Sequence, residues 1–231
     1  MAYKHLFFDL DHTLWDFETN AKETLYELYG LHALHERGIT DFDAFFDRYS
    51  YHNNRLWDRY TKGFMKQDEL RWKRVWLALL DFKIADEVLA RKMAAQFLDG
   101  LPNRRNLFPY TTEILDYLLQ KSYVLHLITN GFDTIQHSKL KHSNLTDYFK
   151  EVITSEKSGS LKPQKAIFEF ALNITNANAG ESIMIGDNIE ADIKGAMGVG
   201  LDTVFVNHLK IETDVKPTYT IHHLKELEDI F

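Results

Sequence analysis

Short apolar runs, each bounded by polar or turn-forming residues, recur along the chain and have the length of β-strands. Several are apolar at odd and even positions alike, which is typical of strands buried on both faces of a sheet. The runs span residues 5–8, 123–128, 152–154, 183–185, 203–206 and, more weakly, 220–222. The pattern therefore predicts six strands in a sheet that is covered on both sides.

After Phe108 the apolar runs alternate with segments of helical period. The apolar residues of two such segments are Ile114, Leu115, Leu118 and Leu119, and Ile189, Ile193, Ala196 and Met197. Strands that alternate with helices form right-handed βαβ units, in which the strands lie parallel. We therefore predict an α/β fold with a doubly wound, Rossmann-like parallel sheet.

The region from residue 17 to residue 105 has a different pattern, because its apolar residues follow a helical period throughout. Three of the four predicted helices end near Gly30, Gly63 and Gly100. The remaining one takes Asp68 as its N-cap. We interpret residues 17–105 as a helical cap domain that is inserted into a discontinuous α/β core domain, formed by residues 1–16 and 106–231.

The composition is that of an ordinary globular protein, with 231 residues, of which 45% are hydrophobic and 26% charged. No cysteine occurs, which excludes disulfides and thiolate metal sites. The net charge of −7 argues against binding to a nucleic acid polymer, which depends on clustered Lys and Arg. Asp9 and Asp11 interrupt the first apolar run, and no stretch reaches the roughly 18 apolar residues of a membrane span. We therefore expect a cytoplasmic protein that does not bind a membrane.

Polar residues that could take part in catalysis or ligand binding follow the predicted strands. Parallel sheets bind ligands outside the carboxyl ends of their strands, so residues at those positions are candidates for function. In chain order, the candidates are Asp9, Asp11, Thr129, Asn130, Lys162, Asp187 and Asp192. Asp9 and Asp11 stand two apart in an extended segment, so their side chains point to the same side.

These residue types suit phosphoryl transfer to or from a compact phosphorylated substrate. A carboxylate can attack phosphorus and form an acyl phosphate. A second carboxylate can give a proton to the leaving oxygen and then take one from water. Two or three carboxylates supply the hard oxygen ligands that Mg²⁺ prefers. Thr129, the Asn130 amide and Lys162 can hold the phosphoryl oxygens.

Four motifs in order, D-L-D-H-T, T-N-G, L-K-P and G-D-N-x-x-x-D, resemble those of the haloacid dehalogenase (HAD) superfamily of phosphotransferases. The helical insert is similar to the C1 cap of that superfamily. The resemblance implies a nucleophilic Asp9, a general acid–base Asp11, and Mg²⁺ held by Asp9, the Asp11 backbone carbonyl and Asp187. It also implies that Thr129, Asn130 and Lys162 contact the phosphate group. Asp192 is implied to lie in a supporting position.

Within this superfamily, Asp11 favours phosphoryl chemistry, because the dehalogenases lack the acid–base aspartate two residues after the nucleophile. The expected activity is the Mg²⁺-dependent hydrolysis of a phosphomonoester through an aspartyl-phosphate intermediate. A phosphomutase shares the same core and is an alternative. A non-catalytic binding module is less favoured, because none of the catalytic residues is missing.

The chain as a whole resembles the branch that contains pyrimidine 5′-nucleotidases, and sugar phosphatases acting on acylneuraminate phosphates resemble it nearly as well. We therefore expect a nucleoside 5′-monophosphate as the substrate, with a sugar phosphate as the alternative, and a monomer or weak homodimer. Aromatic side chains of the insert could stack a nucleobase. Helical spacing nevertheless predicts that Trp72 and Trp76 belong to the core of the insert, as do Trp57 and Tyr60. Trp15 is expected either to line the entrance of the site or to pack at the hinge.

Overall fold

The computed structural model describes residues 3–231, and within them the predicted apolar runs form the six strands of one sheet. The strands are β1 (His5–Phe8), β2 (Val124–Thr129), β3 (Glu151–Thr154), β4 (Ser182–Gly186), β5 (Asp202–Val206) and β6 (Tyr219–Ile221). Their order in the sheet is β3-β2-β1-β4-β5-β6, and every pairing is parallel. The predicted α/β fold with a parallel sheet is confirmed.

The first strand lies in the middle of the sheet. Phe7 pairs with His126 of β2 on one side and with Met184 of β4 on the other. All residues of β1 are buried, and Phe7 belongs to a cluster that also contains Ile128 and Phe168. The strand order changes direction between β1 and β4, and such a switch point opens a ligand crevice at the carboxyl ends of the strands.

The chain forms two compact units. The described residues up to Phe17 form one unit together with Arg105–Phe231, and Glu18–Arg104 form the other. The first two residues of the predicted segment 1–16 lie outside the described residues. The helices that build the second unit are α1 (Phe17–Leu31), α2 (Phe42–Thr61), α3 (Gln67–Asp81) and α4 (Glu87–Gly100). The side chain of Asp41 caps α2 and that of Asp86 caps α4, so both helices begin where a carboxylate accepts their free N–H groups.

The third helix departs from the prediction in its start and in its buried face. It begins at Gln67, so Asp68 lies inside the first turn and is not the N-cap. Its buried residues are Leu70, Arg74, Val75, Ala78 and Leu79. Trp72 and Trp76 are only half-buried, and the guanidinium carbon of Arg91 lies 3.8 Å from the centre of the Trp72 ring. The prediction that both tryptophans are core residues is wrong, whereas Val75 and Leu79, which share their helical stripe, are buried. Trp57 and Tyr60 of α2 are likewise half-buried.

The α/β unit places further helices between its strands. They are α5 (Thr111–Gln120), α6 (Asp133–His142), α7 (Ser155–Ser158), α8 (Lys165–Thr175) and α9 (Gly195–Met197), the last preceded by a π-helical turn (Ile189–Lys194). Short 3₁₀ turns cover Leu101–Asn103, Thr146–Tyr148, Ala179–Glu181 and Leu224–Asp229. Of the helices in residues 3–231, none combines the length and the hydrophobicity that a membrane-spanning segment requires.

The π-helical turn replaces the start of a regular helix that the spacing predicted. The Asn188 carbonyl accepts hydrogen bonds from the N–H groups of both Asp192, at 2.8 Å, and Ile193, at 3.2 Å. A turn of this kind holds one extra residue and occurs frequently at functional sites. Ile193 stays buried as predicted, whereas Met197 is 46% exposed because the widened turn shifts the phase of the helix.

Candidate active site

Asp9 follows the last residue of β1, and the sheet holds it there because its N–H donates to the Ile185 carbonyl at 2.9 Å. The residue is buried, with 8% of its surface exposed. Oδ1 accepts a hydrogen bond from Lys162, whereas Oδ2 accepts none from any of the described residues. The strand therefore presents a carboxylate with one oxygen fixed and the other available to a ligand.

Lys162 is a buried cation that joins three elements of the α/β unit. Its Nζ donates to Asp9 Oδ1 at 2.6 Å, to Asp192 Oδ1 at 2.6 Å and to the Ile128 carbonyl at 2.7 Å. Burial acts to lower the pKa of Lys162, but the charges of Asp192 and Asp9 outweigh it and raise that pKa above its ordinary value. The three acceptors match the three N–H bonds of the ammonium group. The phosphate contact predicted for Lys162 therefore needs one of these bonds to be exchanged, and it stays a prediction.

Asn130, directly after β2, positions the backbone of Lys162. Its Oδ1 accepts from the Lys162 N–H at 2.7 Å, and its Nδ2 donates to the Lys162 carbonyl at 2.9 Å. The amide thereby ties the loop after β2 to the loop before α8. The phosphate contact predicted for Asn130 stays a prediction, and the contact that the structure records is with Lys162.

Three carboxylates gather beside this lysine. One oxygen each of Asp9, Asp187 and Asp192 lies within 4.8 Å of the other two. Asp187 follows β4, and its Oδ1 accepts from Thr13 Oγ1 at 3.0 Å. Burial, reinforced by neighbouring carboxylates and opposed by Lys162, raises the pKa of Asp9 to about 8 and that of Asp187 to about 7. This surplus of negative charge, carried by oxygen ligands in a small volume, fits a hard divalent cation such as Mg²⁺.

Asp192 is fully buried on the π-helical turn. Besides the contact to Lys162, its Oδ2 accepts from the N–H of Asn188 at 3.0 Å. A Cβ atom on Gly186 would overlap this carboxylate, so the glycine of the G-D-N motif leaves the space that Asp192 needs. Asp192 therefore belongs to the charged network around Lys162 and is not a surface residue.

The carboxylate of Asp11 faces α6, and it is not part of the acidic cluster. Lys139 Nζ donates to Oδ1 at 2.5 Å, and Gln136 Nε2 donates to Oδ2 at 2.9 Å. Burial acts to raise the pKa of Asp11, but the Lys139 ammonium and the Gln136 amide outweigh it and hold that pKa below its usual range. Two donors thus hold Asp11 as a carboxylate.

Gln136 and Lys139 lie outside the four sequence motifs and were not predicted as site residues. They lie three positions apart on α6, a spacing that places two side chains on one face of a helix. Gln136 Nε2 also donates to Thr129 Oγ1 at 2.7 Å, and Thr129 accepts from the Gly131 N–H at 3.1 Å. A polar pair on one face of the helix after the T-N-G motif was the signal available in the sequence. The phosphate contact predicted for Thr129 stays a prediction.

Trp15 is fully buried, which excludes the expectation that it lines the entrance of the site. Its Nε1 donates to Ser143 Oγ at 3.2 Å. The Lys139 ammonium lies 4.3 Å from the centre of the indole ring, so Trp15 forms a cation–π contact with the partner of Asp11. The ring therefore helps to define where Lys139 lies.

Known proteins resemble this chain along nearly its whole length. The sequence model of the haloacid dehalogenase-like hydrolases matches residues 3–200. Pyrimidine 5′-nucleotidase PynA of Streptococcus pneumoniae is 32% identical over 99% of this chain and 95% of its own. Pyrimidine 5′-nucleotidase YjjG of Escherichia coli is 29% identical over 100% of this chain and 98% of its own. The crystal structure of the HAD-hydrolase YfnB from Bacillus subtilis, bound to magnesium, has a TM-score of 0.88 at 28% identity and covers 100% of this chain and 99% of that one.

Proposed function

The chain belongs to the haloacid dehalogenase-like hydrolases, and from this membership and the geometry at the strand ends we propose that it hydrolyses phosphomonoesters. The reaction proceeds through an aspartyl-phosphate on Asp9, with Mg²⁺ as the cofactor. The observation that carries the proposal is the contact of Asp9 with the buried ammonium group of Lys162, beside the carboxylates of Asp187 and Asp192. A nucleophile in these surroundings can meet an anionic phosphoryl group and a cation together.

In the first step, Oδ2 of Asp9 attacks phosphorus, since Lys162 already holds Oδ1. The new O–P bond forms as the bond from phosphorus to the leaving oxygen breaks, and the leaving oxygen keeps the electron pair. Asp11 enters this step protonated, because it has taken a proton from water in the preceding turnover, and it gives that proton to the leaving oxygen. Lys162 places positive charge beside the reacting group. The Thr129 hydroxyl and the second N–H of the Asn130 amide, whose first bonds the Lys162 carbonyl, hold the phosphoryl oxygens.

In the second step, Asp11 acts as the general base. It takes a proton from a water molecule whose oxygen attacks phosphorus, and the bond between phosphorus and Asp9 breaks. Phosphate leaves, and the carboxylate of Asp9 is restored. A positioned general base of this kind contributes about 10²–10⁴-fold to a rate.

The acidic cluster provides the ligands for Mg²⁺. Asp9 and Asp187 would hold the ion together with the backbone carbonyl of Asp11. The cation, when bound, offsets the repulsion between an anionic nucleophile and the phosphoryl oxygens. The surplus of carboxylates over the single ammonium group of Lys162 supports this assignment.

A pyrimidine nucleoside 5′-monophosphate is the substrate that the similarities favour. Two relatives that carry this activity in their names match the chain over nearly its entire length. We assign the helical unit, Glu18–Arg104, as the C1 cap that provides specificity. Its half-buried Trp57, Trp72 and Trp76 supply aromatic surface of the kind that stacks nucleobases.

The test is inorganic phosphate release from a panel of phosphomonoesters, with Mg²⁺ and with EDTA. The panel contains pyrimidine and purine 5′-monophosphates, sugar phosphates that include an acylneuraminate phosphate, and 4-nitrophenyl phosphate. Mg²⁺-dependent release that is fastest from pyrimidine monophosphates supports the whole proposal. Release that is fastest from a sugar phosphate keeps the chemistry and overturns the substrate. Isomerisation of a sugar phosphate without release identifies a phosphomutase instead.

A further inference from the structure

Two donors on α6 hold the two oxygens of Asp11, and neither donor belongs to the motifs of the active site. Lys139 is 3% exposed and Gln136 is fully buried. Lys139 Nζ lies 2.5 Å from Oδ1, and Gln136 Nε2 lies 2.9 Å from Oδ2. Donors on both oxygens restrict the rotation of the carboxylate as well as its position.

Each donor is itself held by a buried group. The Lys139 ammonium lies 4.3 Å from the centre of the buried Trp15 ring. Gln136 bridges Asp11 to Thr129, at 2.7 Å from the Thr129 hydroxyl. Burying an ammonium group is costly unless it is paired, and Asp11 is the carboxylate with which Lys139 forms its ion pair. The ion pair with Asp11 therefore stabilises Lys139 in its buried position.

We propose that Lys139, assisted by Gln136, is a positioning residue for Asp11 in the second half of the reaction. The inference rests on the proposed function. A carboxylate that accepts from two fixed donors is oriented as a hydrogen-bond acceptor, which is the role it needs when it takes a proton from the attacking water. Lys139 does not touch the reacting atoms, and it acts through the placement of Asp11.

This role predicts an effect on one step and not on the other. With 4-nitrophenyl phosphate, the phenolate leaves without a proton, so formation of the aspartyl-phosphate does not need Asp11. The value of kcat/KM reports the steps up to that transfer, whereas kcat includes hydrolysis of the intermediate. Loss of Lys139 should therefore lower kcat and KM together and leave kcat/KM nearly unchanged.

The experiment compares Lys139→Met with wild type, with Lys139→Arg, and with Lys141→Met, which changes an exposed lysine of the same helix. We expect Lys139→Met to lower kcat for 4-nitrophenyl phosphate by about 10- to 100-fold, with kcat/KM within about 3-fold of wild type. Rapid mixing should show a burst of about one nitrophenolate per active site, the mark of an accumulating covalent intermediate. Lys139→Arg should recover part of kcat, and Lys141→Met should behave as wild type.

Equal losses in kcat and kcat/KM without a burst would show a structural role and overturn the inference, as would unchanged kinetics of Lys139→Met. If that variant does not fold, Gln136→Met carries the same test, with a smaller fall in kcat and a burst. Wild-type protein that releases no phosphate in the presence of Mg²⁺ overturns the proposed function instead, and with it the role of Lys139. The two failures are therefore distinguishable.

Discussion

Lys162 Nζ lies 2.6 Å from Asp9 Oδ1, although 153 positions separate the two residues in the chain. The contact joins the first strand to the loop before α8, and it places a fixed positive charge beside the proposed nucleophile. Because both side chains are buried, the attraction between their charges is stronger than in an ion pair on the surface. The proposed chemistry and the stability of the fold therefore involve the same contact.

Asp9→Asn should abolish turnover while the protein stays folded. The amide cannot attack phosphorus, and losing a nucleophile costs at least about 10³-fold in kcat. Phosphate release and the far-UV circular dichroism spectrum of the variant measure the two parts of the prediction. A folded variant with wild-type activity would remove Asp9 from the mechanism.

Lys162→Met should destabilise the protein, because it leaves the carboxylates of Asp9 and Asp192 without their common partner. Removing one member of a buried pair costs about 3–5 kcal/mol in the free energy of unfolding. Urea denaturation measures this loss. Added Mg²⁺ should recover part of it, since a ligand that binds only the folded state stabilises that state. Equal stability of variant and wild type would contradict the network described for Lys162.

Asp187→Asn should weaken the binding of Mg²⁺ without unfolding the chain. The concentration of Mg²⁺ for half-maximal activity should rise by about 10-fold or more, because one anionic ligand is lost. A titration of activity against Mg²⁺ gives this concentration. Thr13→Val, which removes the hydrogen bond to Asp187 and keeps the size of the side chain, should cause a smaller rise. An unchanged titration for Asp187→Asn would exclude Asp187 as a ligand.

Gly131→Ala should lower activity by displacing Gln136. A Cβ at this position would overlap the Gln136 side chain, which must therefore move. The free energy of unfolding should fall by about 1–3 kcal/mol, because the buried amide loses its hydrogen bonds, and kcat should fall because Gln136 leaves Asp11 and Thr129. Gly180→Ala is the matched control, since a Cβ there meets no atom within 4 Å. Full activity of Gly131→Ala would show that Gln136 can leave Asp11 without consequence.

Acidification should destabilise the protein through a buried histidine pair. Burial, followed by the charge of His5, lowers the pKa of His126 to about 4. His5 Nδ1 lies 3.1 Å from His126 Nε2. The unfolded chain binds a proton near pH 6.5, so it carries more protons than the folded chain between pH 6.5 and pH 4. The contribution of this site to the free energy of unfolding therefore falls as the pH is lowered. At pH 5 it is about 2 kcal/mol lower than at a pH above 6.5.

The measurement is urea denaturation at pH 7 and pH 5, for wild type and for His126→Phe. Phenylalanine keeps an aromatic ring beside Phe7, whose ring centre lies 4.9 Å from that of His126. The variant should lose less stability between the two pH values than wild type does. Identical losses would show that other groups cause the acid sensitivity.

The strands could be predicted from the sequence because burial on both faces leaves a run of apolar residues. Even the weak run near residue 220 forms the edge strand β6. Helical spacing places Trp72 and Trp76 on one stripe with Val75 and Leu79, and of these four only Val75 and Leu79 are buried. Spacing alone could not separate them, because tertiary packing decides which edge of the stripe faces the core.

The charged residues near the strand ends could also be found from the sequence, because Asp9 and Asp187 directly follow apolar runs and the others stand in the loops or turns after them. Their partners could not. Lys139 is a polar residue on a short helix, and its contact with Asp11 spans 128 positions of the chain. The amide of Asn130 could hold either a ligand or a backbone, and only the fold shows that it holds the backbone of Lys162. The burial of Asp192 depends on a π-helical turn, which has no periodicity to predict it.

Because β1 lies in the middle of the sheet, the sheet can form only late in synthesis. Of the six strands, β1 is synthesised before the other five, but its two neighbours in the sheet begin at Val124 and Ser182. Until both have been made, an apolar strand with unpaired backbone groups has no place in a sheet, and such strands are prone to aggregation. Lys162 and Asp192, which form the charged network with the Asp9 carboxylate, are likewise synthesised long after it. We therefore expect incomplete chains that end before β4 to depend on chaperones and to have no activity.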